Sequence, residues 1–226
     1  MSQIHRSGLK LLGPASFRAF RCLWMLEELG IPYEHIPARP QSEEVRKYNP
    51  LGKIPVLVEQ DEFCLYESGA INTYLGDKYR EFAPNLVPVA GTRDRGLYEQ
   101  TLSVLNAELD AQALWIHRKH DALGDIFTHI PDAVAHARKY FHKTNRTLIH
   151  QLKEGGPYLL GADFTAVDIY FVHCLNWSKS IGWDDKWKDD PNVRKYLQVC
   201  QSRPAYQRVK AMKDAEKGSK KKESNL

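Results

Sequence analysis

Asn49-Pro50-Leu51-Gly52-Lys53-Ile54-Pro55-Val56-Leu57-Val58-Glu59-Gln60-Asp61-Glu62-Phe63-Cys64-Leu65-Tyr66-Glu67-Ser68-Gly69-Ala70-Ile71 is the stretch whose reading decides the fold. Asn49-Pro50-Leu51-Gly52 forces a turn. Ile54–Glu59 and Phe63–Tyr66 are apolar runs of strand length, and the acidic turn Gln60-Asp61-Glu62 joins them closely enough to predict a hairpin. A helix then opens at Ser68, with Ile71, Tyr74 and Leu75 on one face.

Upstream, the same textures alternate. Leu9–Leu12 reads as a strand and Phe17–Leu29 as a helix. In that helix Phe20, Leu23, Trp24 and Leu26 form the apolar stripe, and Arg18, Arg21, Glu27 and Glu28 are expected to face water. Gly30 stops the helix and Pro32 follows. Tyr33–Ala38 is a second strand, and Ser42 is placed to cap a short helix ending at Tyr48. The order β-α-β-α-β-β-α, parallel in its first half and antiparallel in its second, is the thioredoxin-like arrangement: a mixed four-stranded sheet with helices on both faces.

Downstream of the stretch, strand patterns vanish. Glu81–Gly91 has Pro84, Pro88 and Gly91 without periodicity and reads as a linker. Helices are predicted over Arg93–His120, Ile130–Lys153, Thr165–Ile181 and, as one or two pieces, Pro191–Lys213. The expected division is therefore an α/β domain over 1–83, a linker over 84–92, an all-helical bundle over 93–214 and a disordered basic tail over 215–226.

Composition excludes several classes. In 226 residues, 42% hydrophobic and 27% charged, apolar side chains are plentiful enough to order the chain. The scattered Cys22, Cys64, Cys174 and Cys200 form no C-x-x-C, so neither a zinc ribbon nor a dithiol pair is encoded, and free thiols are expected. His117 and His120 lie at i and i+3 without a carboxylate pattern, so no metal is expected. No apolar run is long enough to cross a bilayer. Of the formal net charge of +4, Lys217–Leu226 carries +3. The body is nearly neutral, which does not suit a nucleic-acid grip. Met1–Gly8 is polar and lacks a signal core. Ser224-Asn225-Leu226 departs from the S-K-L tripeptide at its middle residue. The expected location is the cytoplasm.

Three places carry chemistry. Ser16 lies between the first strand and the first helix, where helix amides favour an anion; a plain N-cap serine reads the same way. Ile54-Pro55 opens a strand, and a cis bond there would turn the Ile54 backbone toward an extended peptide ligand. Glu67-Ser68 closes one strand and opens a helix: Ser68 with helix amides suits a carboxylate, Glu67 suits an ammonium, and together they suit an α-amino-acid head group.

In combination, Ser16-Phe17-Arg18-Ala19-Phe20-Arg21 with Leu26-Glu27-Glu28-Leu29-Gly30, Asn49–Leu57 and Tyr66–Ile71 resembles the cytosolic glutathione transferases. Gly161–Ile169 resembles that family's capping motif, with Thr165 as N-cap and Asp168 reaching back. The likeness runs from about Gly8 to Met212. It implies that Ser16 hydrogen-bonds the glutathione sulfur and favours the thiolate. It also implies that Ile54, beside cis Pro55, pairs with the cysteinyl backbone. Glu67 and Ser68 would hold the γ-glutamyl end, Lys53 would meet the glycyl carboxylate, and Arg18 would stand at the ligand's periphery. Phe17 departs from the proline many members have after the serine. The absence of tyrosine or cysteine at the Ser16 position sets aside the classes that use them.

The resemblance further implies glutathione as co-substrate, an apolar electrophile, and a homodimer. The second substrate is expected against the long helix, near Leu114, Trp115 and Arg118, with core packing as the other reading of Leu114 and Trp115. The leading expectation is conjugation by thiolate attack. Glutathione-dependent peroxide or disulfide reduction, ether or halide cleavage, and a non-catalytic glutathione-binding protein are the alternatives.

Overall fold

Short apolar runs separated by turn residues build a sheet whose strands are only three residues long. The computed structural model describes residues 8–60 and 63–223. Expectations for the first seven residues, for Asp61-Glu62 and for Ser224-Asn225-Leu226 lie outside the described residues. β1 (Lys10–Leu12), β2 (Glu34–Ile36), β3 (Val56–Val58) and β4 (Cys64–Tyr66) form the order β2-β1-β3-β4. β1 is parallel to β2 and antiparallel to β3, which is antiparallel to β4. The parallel pair requires a crossover, and α1 (Ala19–Leu29) supplies it. α2 (Glu43–Arg46) begins where predicted, with the Ser42 hydroxyl accepting from the Val45 N–H at 3.3 Å. α3 (Ser68–Lys78) follows the hairpin. The mixed sheet with its helices is the thioredoxin-like fold expected from the sequence. Its two central strands are covered on both faces, so Leu11, Leu12, Val56 and Leu57 are fully buried.

One expectation fails on α1. Every residue of this helix except Glu27 and Glu28 is buried, Arg21 included. The reason is a second cover. α1 packs against α3 on one side and against α9 (Pro204–Glu223) on the other. Tyr206 of α9 sits edge-on to Trp24 and Phe20, with ring centroids 4.8 and 5.6 Å apart. Arg203 grips the Glu28 carboxylate with two bonds of 2.7 Å, and Arg208 bonds Glu27. Such bidentate pairs fix geometry as well as adding energy.

α9 also corrects the expected tail. The helix runs on to Glu223, past the point where disorder was expected to begin. Its apolar Ala205, Tyr206 and Val209 are buried. The lysines and Glu beyond are good helix formers, and cations near a helix C-terminus suit its dipole. Two compact units result. One takes the chain up to Pro84 and again from Gln201 onward, and the other is Asn85–Cys200.

The second unit is helical. α4 (Arg93–Val104), capped by Thr92, continues without a break through a π-helical stretch, Leu105–Leu114. Then come the short α5 (Trp115–His117) and a second π-helical stretch, Arg118–Ala122. The single α-helix predicted here is thus one continuous helix of wider pitch. Residues i and i+5 fall on one side, so Asp110 lies inward with Leu105, and Leu114 with Leu109. α6 (Pro131–Gly155), α7 (Ala166–Ser180) and α8 (Pro191–Gln201) complete the unit. At the start of α7 the fully buried Asp168 carboxylate accepts from the Thr165 N–H and hydroxyl at 2.9 and 3.1 Å. It also takes the Leu159 N–H at 2.8 Å and the Tyr196 hydroxyl at 3.0 Å. No helix among the described residues is long and apolar enough to cross a membrane.

Candidate active site

The register of the sheet determines where the predicted residues meet. Leu12 stands opposite Val56, and Val56 opposite Tyr66. The segments Gly13–Arg18, Lys53–Pro55 and Glu67–Ser68 therefore leave the sheet at one end, side by side. Strand spacing of roughly 5 Å keeps such neighbours within reach of one small ligand.

The loop after β1 is held tightly. Gly13 has φ 126°, and a Cβ there would come within 3.0 Å of both Ala19 and Ile54, so the position requires glycine. Its N–H donates to the Ile36 carbonyl at 2.8 Å, and its own carbonyl accepts from His35 Nε2 at 2.9 Å. Phe17 N–H closes the turn onto the Pro14 carbonyl at 3.1 Å. The N-cap position of α1 falls on Arg18, which makes no side-chain cap bond. Ser16 is therefore not the helix's N-cap, and its half-buried hydroxyl makes no hydrogen bond among the described residues. Phe17 and Arg18 are half-buried beside it.

The second loop is braced by its asparagine. Asn49 Nδ2 donates to the Lys53 carbonyl at 2.9 Å, and Asn49 Oδ1 accepts from the Leu51 N–H at 3.0 Å. Gly52, with φ 65°, passes against the Gln41 side chain. Lys53 is left exposed, and the Ile54–Pro55 peptide is cis. Pairing of β3 begins at Val56, one residue beyond Pro55.

At the third corner Glu67 holds φ 72° at the N-cap position of α3 and is exposed. That backbone region is uncommon for a residue with a side chain and recurs at functional sites. Ser68 is the first helical residue and is buried. Beneath it lies the fully buried Arg21, whose Nη1 donates to Ser68 Oγ at 3.2 Å, while Asn72 Nδ2 donates to the Arg21 carbonyl at 3.3 Å. Arginine can only donate, so Ser68 Oγ accepts in this bond and its own proton is left to point elsewhere. Cys22 is buried next to this pair, its Sγ 3.9 Å from the Ser68 carbonyl. Burial pushes the Cys22 thiol well above its usual range, against the opposing pull of Arg21. A thiol so raised stays protonated at neutral pH.

In the helical unit, Leu114 is fully buried. Trp115 and Arg118 are half-buried on the following turns. His117 Nε2 lies 3.2 Å from Asp121 Oδ2, and burial lowers the pKa of His117 from its usual value. The cavity of about 340 Å³ between α6 and α8 contains none of the predicted residues.

Glutathione S-transferase hmp2 of Hypomyces subiculosus is 30% identical over 219 residues, covering 92% of this chain and 99% of its own. The chain belongs to the glutathione S-transferase family. Models of the glutathione S-transferase N-terminal and C-terminal domains match residues 7–77 and 131–198. Glutathione S-transferase-like protein OpS6 of Beauveria bassiana is 28% identical and covers 84% of this chain and 88% of its own. Among solved structures, glutathione transferase URE2P8 of Phanerochaete chrysosporium with oxidized glutathione superposes with a TM-score of 0.78 at 22% identity. It covers 95% of this chain and 98% of its own. Glutathione S-transferase III in apo form gives 0.75 at 24% identity over 91% and 96%.

In this glutathione S-transferase two site neighbours escaped the sequence reading. Arg21 had a partial signal: of its i±3 and i±4 neighbours, Phe17, Trp24 and Met25 are apolar and only Arg18 is charged. Glu216 had none. Its Oε1 accepts from the Ala15 N–H at 2.9 Å, directly beside Ser16 but 201 residues away in the chain.

Proposed function

We propose that the enzyme binds glutathione at the sheet end bearing Ser16, Ile54 and Ser68, activates its thiol as thiolate, and conjugates it to an electrophilic, largely apolar small molecule. The Ser16 hydroxyl donates to the sulfur. A free thiol is mostly protonated at neutral pH and only the thiolate attacks well, so a hydroxyl donor and the nearby start of α1 lower the barrier by favouring the anion. The thiol proton leaves to solvent. The sulfur lone pair then forms the C–S bond while the leaving group departs with its electron pair. Where the electrophile is an activated alkene, the π electrons move instead to the activating group. Holding both reactants supplies the proximity term.

The remaining contacts fix the tripeptide. Ile54 pairs with the cysteinyl backbone beside Pro55, exposed Lys53 meets the glycyl carboxylate, and Arg18 stands at the periphery. Glu67 takes the ammonium and Ser68 the carboxylate of the γ-glutamyl end, with the Ser68 proton turned outward by Arg21. Trp115 and Arg118 contribute to the pocket of the electrophile. The working form is a cytoplasmic homodimer with a detoxifying role.

The observation that supports this reading best is the row Leu12–Val56–Tyr66, from which the three loops issue together. The burial of Cys22 weighs against thiol-based reduction at this site. The test is calorimetry with glutathione followed by Ser16→Ala assayed on a chlorinated aromatic, an organic peroxide and a mixed disulfide. Retained binding with lost conjugation supports the assignment. Conjugation unchanged in Ser16→Ala refutes the role of Ser16, and no heat with glutathione refutes the whole reading.

A further inference from the structure

The C-terminal helix brings a carboxylate to the thiol loop. Glu216 lies on α9 with its side chain 17% exposed. Oε1 accepts from the Ala15 N–H at 2.9 Å, and Oε2 is buried with no hydrogen-bond partner among the described residues. A buried carboxylate oxygen left without a donor is a costly arrangement, so its place beside the loop calls for a reason. The same loop is held from the other side by His35, whose Nε2 reaches the Gly13 carbonyl at 2.9 Å and lies 3.8 Å from Glu216 Oε1. α9 is anchored to α1 by Arg203, Tyr206 and Arg208, so Glu216 is delivered by a docked element and not by a loose end.

Two effects follow from that position, and they oppose each other. The bond to Ala15 N–H immobilises the residue next to Ser16, which keeps the hydroxyl aimed. The negative charge, however, disfavours a second anion nearby, so it makes a thiol in this site less acidic. Among the described residues, the titratable groups placed against this corner include His35 on β2, 3.8 Å from Glu216 Oε1, and Lys213 on α9. Lys213, one turn before Glu216, rests over the Phe20 ring at 5.7 Å.

We infer that Glu216 is a positioning residue of the thiol site: it anchors the Ser16 loop through Ala15 and, by its charge, sets how readily the bound glutathione thiol gives up its proton. The inference rests on the glutathione reading above. It makes α9 part of the catalytic unit, and it makes the ionisation of the thiol depend on a residue near the C-terminus.

The experiment uses the full chain and three variants: Glu216→Gln, Glu216→Ala and Arg203→Ala. Thiolate formation is followed by its ultraviolet absorbance on adding glutathione across a pH series, alongside kcat and KM. Glutamine keeps an acceptor for Ala15 N–H and removes the charge. The expected result is a thiolate midpoint lower by about one pH unit, the scale of a nearby charge partly screened by solvent, with KM for glutathione unchanged. Alanine removes the anchor as well, so kcat falls severalfold although the midpoint moves the same way. Arg203→Ala, which loosens α9 without touching the loop, is expected to resemble Glu216→Ala in part. A midpoint identical in wild type and Glu216→Gln overturns the inference, even if both Glu216 variants lose thermal stability. No thiolate signal and no glutathione heat in the wild type would instead overturn the underlying reading of the site.

Discussion

Replacing Arg21 by methionine isolates the contribution of one buried cation to ligand binding. The guanidinium is fully buried, donates to Ser68 Oγ at 3.2 Å, and sits under the corner assigned to the γ-glutamyl carboxylate. Methionine has a similar reach without charge or donors, but removing one buried charged partner on its own is destabilising, so the variant's fold is checked by its unfolding midpoint before binding is compared. Binding is where the effect belongs. A hydrogen bond from a charged donor contributes about 1.5–3 kcal/mol, and losing it also frees the Ser68 proton to turn away from the ligand. At about 1.4 kcal/mol per tenfold, the glutathione dissociation constant is expected to rise roughly ten- to a hundredfold. The turnover number at saturation is expected to change little, because the sulfur end is untouched. The assay is calorimetry of wild type and Arg21→Met with glutathione and with an analogue lacking the γ-glutamyl α-carboxylate. Wild type should discriminate between the two ligands and the variant should not. Equal weakening toward both ligands, or unchanged affinity for glutathione, would refute the electrostatic role.

Other outcomes are as definite. Ser16→Ala should lower conjugation at neutral pH by about a hundred- to a thousandfold, the scale of losing one donor to a developing anion, with the glutathione heat retained; steady-state kinetics checks the first and calorimetry the second. Glu28→Ala leaves the Arg203 guanidinium without its bidentate partner and should cost about 3 kcal/mol in urea unfolding, and an undisturbed midpoint would argue that α9 docks by its apolar face alone. Burial raises the Asp168 carboxyl from 3.8 to about 6, so the folded chain keeps a proton that the unfolded chain has released. This stability is full below about pH 4 and is lost as pH climbs through 6, a span worth about 3 kcal/mol. Unfolding midpoints of Asp168→Asn should be flatter over that interval than those of wild type, and parallel curves would contradict the assignment. Under native conditions iodoacetamide should modify half-buried Cys64 first, while Cys22, Cys174 and Cys200, all buried, react only on unfolding; peptide mass spectrometry reads the order.

The legibility of this chain follows what sequence periodicity reports. Alternation of apolar runs and turns specified the mixed sheet, because β1 and β2 are joined by one crossover and β3 and β4 by a short turn, which leaves β1–β3 as the one pairing distant in sequence. The Ser42 cap and the Thr165–Asp168 pair were legible because caps are local, spanning three residues each. Arg21 was misplaced because an amphipathic stripe assumes that one side of a helix faces water. α1 has two covers, and the second comes from α9, nearly two hundred residues later. The same long separation hid Glu216, whose lysine-rich surroundings read as solvated tail. Leu114 carried two readings, pocket or core, because the side it shares depends on helix winding: in the π-helical stretch from Leu105 onward it falls with Leu109 and is fully buried. The chemistry-bearing segments were legible as local motifs, and the sheet register brings them to one end. Their support from below was not, since a buried cation carries no signature beyond its apolar neighbours.

The brevity of the strands has a practical corollary. From the Leu12–Val56–Tyr66 row to the Lys10–Val58–Cys64 row is two residue steps, roughly 7 Å at strand rise. The wall between the proposed tripeptide site and the opposite rim is therefore very thin. A small fluorophore at half-buried Cys64, which packs on the core cluster of Leu12, Val56 and Val58, would lie outside the proposed footprint yet share that core with it, so occupancy could be followed in solution by emission alone, without any turnover.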